Sequence, residues 1–215
     1  MDKEEVKTFN IITLGDSGVG KTSIIHRYVN NIFDENISTT IGMYFYFKEI
    51  IFKNKKKIKL KFIESTGQEK YRSLPKSYYK NVDVVLFVFS MDDKDTFDRI
   101  KDWMELFKSN NNKKDEDVLK YLIGNKNDLE INVDQSLIDE FVQENKISFM
   151  SISAKAKNNI NELFEEIGKK LYTDYLNKGN KGNKEHNVTN IKIIKQMPRN
   201  RCCISHPDMQ YNFKL

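Results

Sequence analysis

Hydrophobic positions along residues 6–176 alternate between the spacing of strands and the spacing of helices. Apolar, β-rich runs predict strands at 6–14, 43–52, 57–63, 82–89, 118–123 and 148–152. Apolar residues at helical spacing predict helices at 23–29, 96–107, 134–144 and 160–175. This alternation indicates an α/β fold, with a mostly parallel six-stranded sheet, right-handed crossovers and helices on both faces.

Turns and loops divide the chain further. The lysine-rich turn at 53–56 predicts an antiparallel hairpin at a sheet edge, where lysines discourage the addition of another strand. The segments 30–42 and 64–80 lack periodicity, so we expect two long loops. Residues 177–215 are rich in Lys, Asn and Gly and have no sustained pattern. We therefore expect an N-terminal extension at 1–6, one domain at 7–176 and a flexible tail at 177–215.

Composition narrows the classes of function. The net charge is +5, but the basic residues are spread along the chain without a basic helix, so we expect no nucleic-acid binding. The two cysteines, Cys202 and Cys203, are adjacent and indicate a reducing compartment rather than a disulfide framework. The charged N-terminus is unlike a secretory signal, and no apolar run reaches the ~18 residues of a membrane helix. We therefore expect a cytoplasmic protein.

The segment Gly15-Asp16-Ser17-Gly18-Val19-Gly20-Lys21-Thr22 has the spacing G-x-x-x-x-G-K-[ST] of a phosphate-binding loop. A predicted strand precedes it and a predicted helix follows it, which disfavours a chance match. The glycines allow consecutive N–H groups to point at phosphates, Lys21 reaches the β- and γ-phosphates, and the Thr22 hydroxyl suits Mg²⁺. The expected nucleotide contacts here are Ser17, Gly18, Val19, Gly20, Lys21, Thr22 and Ser23.

Two later segments suit a guanine base. Asn125-Lys126-Asn127-Asp128 follows the fifth strand, at the carboxyl edge where ligands bind in open α/β sheets. The Asp128 carboxylate accepts from guanine N1–H and N2–H₂, whereas adenine would leave a buried carboxylate unpaired at a cost of roughly 2 to 5 kcal/mol. Ser153-Ala154-Lys155 follows the last strand and supplies a backbone N–H for guanine O6. The first segment alone also fits a solvated turn, but its place after a phosphate loop and a strand favours base binding.

Together these motifs resemble those of a Ras-superfamily small GTPase, and most those of the Rab family, over about residues 7–176. The shared motifs are the phosphate loop, Thr40-Ile41-Gly42, Gly67-Gln68-Glu69, Asn125 to Asp128 and Ser153-Ala154-Lys155. The similarity to Rab proteins lies in Ile41-Gly42-Met43-Tyr44-Phe45, Lys70-Tyr71-Arg72-Ser73-Leu74 and Tyr78-Tyr79-Lys80-Asn81. The resemblance implies a P-loop NTPase fold, the small G-domain, and a GTP-hydrolysing switch that regulates vesicle trafficking.

The resemblance also implies roles for single residues. The implied ligands of the Mg²⁺ cofactor are Thr22, Thr40 and Glu64. The Thr40 and Gly67 N–H groups would hold the γ-phosphate, and Gln68 would be the catalytic residue that orients the attacking water. Phe33 would flank the guanine, although an aromatic residue there also fits an ordinary loop anchor.

The implied partners are GTP and GDP, an exchange factor, a GTPase-activating protein and effectors. The protein itself would be a monomer, peripherally attached to the cytosolic face of an endomembrane. The implied effector surface comprises Ile41, Phe45, Ile63 and Tyr78. Ile63 stands where Rab proteins have tryptophan, which predicts a different set of effectors or, alternatively, a residue that belongs to a buried strand.

The second phosphate motif departs from the family pattern W-D-T-A-G-Q-E, because this chain has Ile63-Glu64-Ser65-Thr66-Gly67-Gln68-Glu69. Glu64 adds one methylene to an expected Mg²⁺ ligand, and Thr66 places a β-branched hydroxyl beside the γ-phosphate. We expect slower intrinsic hydrolysis with nucleotide binding retained, unless neighbouring residues compensate. The alternative function is a GTP- or GDP-bound interaction module that hydrolyses slowly or not at all.

Cys202 and Cys203 are candidates for lipidation. The segment Cys202-Cys203-Ile204-Ser205 would be a prenylation box if the chain ended there, but residues 206–215 follow it. Three interpretations stay open: processing exposes the box, the cysteines are palmitoylated beside Lys195, Arg199 and Arg201, or the chain carries no lipid.

Overall fold

The computed structural model describes residues 6–36, 44–64 and 75–179, together with the backbone of 193–202. The strands are β1 (Lys7–Leu14), β2 (Tyr44–Phe52), β3 (Lys57–Glu64), β4 (Val84–Ser90), β5 (Leu119–Asn125), β6 (Ser148–Ser151) and β7 (Ile193–Cys202). The helices are α1 (Lys21–Asn30), α2 (Lys94–Asp98), α3 (Ile100–Asn110), α4 (Gln135–Asn145) and α5 (Ile160–Gly179).

The described strands form one sheet in the order β6, β5, β4, β1, β3, β2, β7. β1 lies between β3 and β4 and is parallel to both, and β5 and β6 continue the parallel part beyond β4. β2 and β3 form the predicted antiparallel hairpin. The mostly parallel α/β sheet is therefore confirmed, and the carboxyl ends of β1, β3, β4, β5 and β6 meet at one edge.

Successive residues of the strands face two separate hydrophobic cores. On β1, Ile11 belongs to the core that α1 and α5 cover, and Ile12 belongs to the core that α3 and α4 cover. β4 is buried at every position, as expected for a central strand with helices on both faces. In the described part of the chain, no helix is both long and apolar enough to cross a membrane.

The helix predicted at 96–107 is two helices in the structure. α2 ends at Asp98 and α3 begins at Ile100, with Arg99 between them. Asp93 caps α2, since its side chain accepts a hydrogen bond from the Asp95 N–H. At the break between the helices, the Arg99 side chain contacts Asp16 of the phosphate loop.

Two parts of the tail lie within the described residues. α5 continues to Gly179, and the backbone of β7 pairs antiparallel with β2, which adds a seventh strand to the six that the sequence predicts. β2 would otherwise leave a row of backbone N–H and C=O groups unpaired at the sheet edge, and an extended segment of the same chain satisfies them. The exposed lysines of the turn at 53–56 therefore do not prevent the addition of a strand to β2.

Candidate nucleotide-binding site

The segment between β1 and α1 is a tight turn that depends on glycine. Gly15 has φ 146°, and a Cβ on it would lie 2.0 Å from the Val88 carbonyl oxygen. Gly20 has φ 94° at the N-cap of α1, and a Cβ there would lie 2.2 Å from Asn125 Nδ2. Both positions therefore require glycine. Because the N-cap is glycine, it has no side chain to cover the N–H groups of the first helical turn, an arrangement that suits an anion.

The predicted phosphate contacts lie along this turn and the start of α1. Ser17 and Gly18 are exposed, Val19 is buried, and Gly20, Thr22 and Ser23 are half-buried. Lys21 is 5% exposed, and its Nζ donates to the carbonyl oxygens of Gly15 at 2.8 Å and Asp16 at 2.6 Å. The ammonium group is therefore held within the loop that the sequence assigns to phosphate.

Burial lowers the pKa of Lys21 to about 8, although the negative charges of Asp16 and Glu64 oppose the shift. Removal of the side chain from water disfavours its charged form more than these two carboxylates favour it. A phosphate in the loop would add negative charge beside Nζ and would return the pKa toward its ordinary value.

Thr22 and Glu64, two of the three expected Mg²⁺ ligands, are in direct contact. The Thr22 hydroxyl donates a hydrogen bond to Glu64 Oε1, which joins the first turn of α1 to the end of β3. Glu64 is 0% exposed. Within the described residues, no group of three or more His, Cys, Asp or Glu side chains would hold a metal alone. Mg²⁺ prefers oxygen ligands and keeps waters and phosphate oxygens, so this hydroxyl–carboxylate pair fits the ion.

Asn125 joins the phosphate loop to the loop after β6. Its side chain is buried, with Nδ2 donating to the Val19 carbonyl oxygen at 2.8 Å. Its Oδ1 accepts from the Ala154 N–H at 3.1 Å. One amide side chain therefore holds the predicted phosphate segment and the predicted base segment in a fixed relation.

Asp128 and Ser153 are joined by a hydrogen bond from the Ser153 hydroxyl to Asp128 Oδ1. Ser153 is buried, and its Oγ also accepts from the Ala156 N–H at 2.8 Å. Asp128 is exposed in the structure. The discrimination against adenine that the sequence predicts requires a buried carboxylate, so a bound base would have to cover Asp128. Lys126 lies beside Asp128 in the chain with φ 63°, and its Nζ is 3.9 Å from Asp92 Oδ1.

Phe33 is tied to the base segment through Arg27 of α1. The guanidinium carbon of Arg27 lies 5.5 Å from the centre of the half-buried Phe33 ring. Arg27 also donates from Nε to the Ala154 carbonyl oxygen at 2.8 Å and from a terminal nitrogen to the Lys155 carbonyl oxygen at 3.2 Å. Arg27 was not predicted as a site residue, because it lies on α1 six residues after Lys21 and outside the motifs that identify the site.

A second group that the sequence analysis missed lies behind the phosphate loop. Asp16 is 2% exposed; its Oδ1 accepts from the Trp103 indole N–H at 2.7 Å, and its Oδ2 accepts from Arg99 Nε. Trp103 of α3 is buried in the core that α3 and α4 cover, and it makes this polar contact in addition to its packing. The carboxylate therefore connects α3 to the phosphate loop.

Phe45 and Tyr78 form an aromatic pair, with ring centres 5.9 Å apart. Lys61 Nζ lies 4.4 Å from the centre of the Phe45 ring. Ile63, opposite Phe45 in the hairpin, is 4% exposed and belongs to the core against which both aromatic rings pack. This burial favours the interpretation of Ile63 as a strand residue over that of an exposed effector contact.

Some predicted site residues lie outside the described residues. They are Thr40, Ile41, Gly67, Gln68 and Cys203, and the Thr66 substitution lies there too. Cys202 is described only through its backbone, as the last residue of β7. The catalytic residue, the γ-phosphate contacts, the third Mg²⁺ ligand and the lipidation of either cysteine therefore stay predictions.

Comparison with known proteins found relatives that span the described fold. The Ras family model matches residues 10–173, from β1 into α5. GTP-binding protein YPT52 of Saccharomyces cerevisiae is 33% identical over 193 residues, which cover 76% of this chain and 82% of the relative. Ras-related protein SEC4 of the same yeast is 36% identical over 162 residues, covering 74% and 73%. Ras-related protein Rab-13 of Bos taurus is 29% identical over 199 residues, covering 92% and 96%.

Proposed function

The chain belongs to the Ras family and is most similar to Rab proteins, and on this premise we propose that it is a GTP-hydrolysing switch that regulates vesicle trafficking. The observation that carries the proposal is the Asn125 side chain, which bonds the phosphate segment at Val19 and the base segment at Ala154. A nucleotide has to reach both segments at once, so their fixed relation favours nucleotide as the ligand over phosphate alone.

Recognition of the nucleotide divides between its two ends. Lys21 and the N–H groups of the loop and first helical turn would bind the phosphates. Asp128 would accept from guanine N1–H and N2–H₂, and the Ala154 N–H, which already donates to Asn125 Oδ1, would be shared with guanine O6. Phe33 would cover one face of the base.

Thr22, Glu64 and Thr40 would hold Mg²⁺. The hydrogen bond between Thr22 and Glu64 supports the first two, since it brings a hydroxyl and a buried carboxylate together at the phosphate loop. When bound, the ion neutralises charge that develops on the β- and γ-phosphate oxygens. For the chain's own residues, the two roles are compatible, since the Thr22 oxygen would act as a ligand through a lone pair while its hydrogen stays donated to Glu64 Oε1.

Hydrolysis would depend on Gln68, which orients the water that attacks the γ-phosphate. The Thr40 and Gly67 N–H groups would hold that phosphate, and its loss would release the two loops that carry them. Arg27 and Arg99 are engaged with Ala154 and Asp16, which supports the need for a GTPase-activating protein that supplies positive charge.

A slow or non-hydrolysing GTP- or GDP-bound interaction module is the second candidate. Glu64 and Thr66 favour it, because Glu64 lengthens an expected Mg²⁺ ligand by one methylene and Thr66 places a β-branched hydroxyl beside the expected γ-phosphate. Partners of either form would include an exchange factor and effectors that contact Phe45 and Tyr78.

Membrane association is part of the proposal through Cys202 and Cys203. A lipid on either cysteine, together with the neighbouring basic residues, would attach the protein peripherally to the cytosolic face of an endomembrane. The intact mass of the protein from its native cell tests this attachment, because each acyl or prenyl group adds a defined mass.

The nucleotide content of the purified protein, followed by single-turnover hydrolysis, tests the proposed function. We expect about one guanine nucleotide per chain, hydrolysis of loaded GTP, and a loss of at least roughly tenfold in rate for Gln68→Leu with GDP affinity retained. Tight GTP binding without turnover would support the interaction module instead. Equal binding of ADP and GDP would contradict both candidates.

A further inference from the structure

Arg27 is in contact with two separate segments around the expected base site, residues 154–155 and residues 31–33. Its Nε and one terminal nitrogen donate to the carbonyl oxygens of Ala154 and Lys155, at 2.8 and 3.2 Å. Its other terminal nitrogen donates to the carbonyl oxygen of Asn31, the C-cap of α1, at 3.2 Å. Its guanidinium carbon lies 5.5 Å from the centre of the Phe33 ring.

The chemistry of these contacts is specific to arginine. A planar guanidinium donates in fixed directions to several carbonyl oxygens and at the same time stacks on an aromatic ring. Lysine would retain the positive charge, but its ammonium group has neither the several N–H donors in fixed directions nor the planar surface that stacks on an aromatic ring. The ion pair between Lys155 and Glu35, at 2.7 Å, joins the same two segments again, but both side chains are exposed and contribute little.

We infer that Arg27 is a positioning residue that fixes both walls of the guanine site and thereby slows nucleotide release. Its hydrogen bonds to the Ala154 and Lys155 carbonyl oxygens hold the backbone next to the Ala154 N–H. This inference rests on the proposed function, in which the Ala154 N–H faces guanine O6. Its stacking and its bond to Asn31 hold the segment that carries Phe33. Arg27 itself does not contact the nucleotide; it acts through Ala154 and Phe33.

The test measures nucleotide release from the full chain, loaded with GDP or with 6-thio-GDP, by exchange with excess fluorescent N-methylanthraniloyl-GDP. The thio analogue keeps the N1–H and the 2-amino group but replaces O6 with sulfur, a weak hydrogen-bond acceptor. The variants are Arg27→Gln and Arg27→Lys. The matched control is Lys178→Gln, which also removes one positive charge and one contact, since Lys178 on α5 pairs with Asp117 at 2.7 Å.

For GDP we expect release about tenfold faster in Arg27→Gln, equivalent to ~1.4 kcal/mol. Arg27→Lys should be intermediate, at about threefold, and Lys178→Gln should lie within about twofold of the wild type. For 6-thio-GDP the effect of Arg27→Gln should shrink to about threefold, because the O6 contact that Arg27 supports is already weakened. A merely structural loss at α1 would accelerate release of both nucleotides equally.

Wild-type release rates in Arg27→Gln, or equal acceleration for both nucleotides, would overturn the inference and leave the proposed function intact. Absence of guanine-nucleotide binding in the wild type would overturn both. If Arg27→Gln does not fold by circular dichroism, Arg27→Lys decides: intermediate GDP release with a smaller effect on 6-thio-GDP supports the positioning role, and wild-type release refutes it.

Discussion

Trp103→Phe tests whether the Asp16 carboxylate fastens α3 to the phosphate loop. The substitution keeps an aromatic ring in the core but removes the indole N–H that donates to Asp16 Oδ1 at 2.7 Å. Both side chains are buried, so a lost hydrogen bond to this charged acceptor costs about 1.5–3 kcal/mol. The smaller ring adds about 1 kcal/mol of lost packing. Because Arg99 still donates to Asp16, we expect total destabilisation of ~2–4 kcal/mol.

The assay is urea unfolding followed by far-UV circular dichroism, since Trp103 is the chain's one tryptophan and its fluorescence disappears with the mutation. GDP and Mg²⁺ are held at the same concentration for every variant, and the ligand contribution RT ln(1 + [GDP]/Kd) is subtracted with each variant's own GDP affinity. Phe97→Leu is the packing control, because Phe97 is buried in the same core and has no polar atom.

A double-mutant cycle with Asp16→Ala isolates the hydrogen bond from the packing loss. We expect a coupling free energy of about 1.5–3 kcal/mol between Trp103 and Asp16. Coupling below about 0.5 kcal/mol, or destabilisation no larger than that of Phe97→Leu, would refute the role assigned to the contact.

Three further predictions concern the phosphate side of the site. In the nucleotide-free protein, the free energy of unfolding should rise by up to ~3 kcal/mol between about pH 8 and 10.5. In this range Lys21 of the folded protein, with its pKa lowered to about 8, has lost a proton that the unfolded chain still binds. Urea unfolding as a function of pH tests this, and Lys21→Met should lack the rise. Glu64→Asp combined with Thr66→Ala should speed single-turnover GTP hydrolysis by roughly threefold or more, and an unchanged rate would show that these departures are neutral. Gly20→Ala should weaken GDP binding at least about tenfold, because the new Cβ would lie 2.2 Å from Asn125 Nδ2. A fluorescence titration measures this affinity, and a wild-type value would show that the turn accommodates a side chain.

The sheet and its helices followed from hydrophobic spacing because burial on two faces leaves a strong pattern. The buried run of β4 and the opposite orientations of Ile11 and Ile12 are direct consequences of that spacing. β7 was missed, because pairing with β2 depends on backbone groups at a sheet edge rather than on a periodic apolar pattern.

The site could be predicted only where a motif fixes a residue type at a fixed spacing. Lys21 and Asn125 were identified in this way. Arg27 and Asp16 were not, because their contacts join residues distant in sequence: Arg27 meets Ala154, and Asp16 meets Trp103. For Ile63 the sequence left open an effector contact or a buried strand residue, and the place of β3 within the sheet, where Ile63 is buried, favours the second.

The ratio of the dissociation constants for ADP and GDP tests the central claim most directly. Both are measured by displacement of fluorescent GDP from the full chain in Mg²⁺ buffer, with Asp128→Ala as the matched variant. The proposed base site predicts a ratio of at least about a hundred in the wild type and a much smaller ratio in Asp128→Ala. A wild-type ratio near one, or a large ratio that survives the loss of the Asp128 carboxylate, would contradict it.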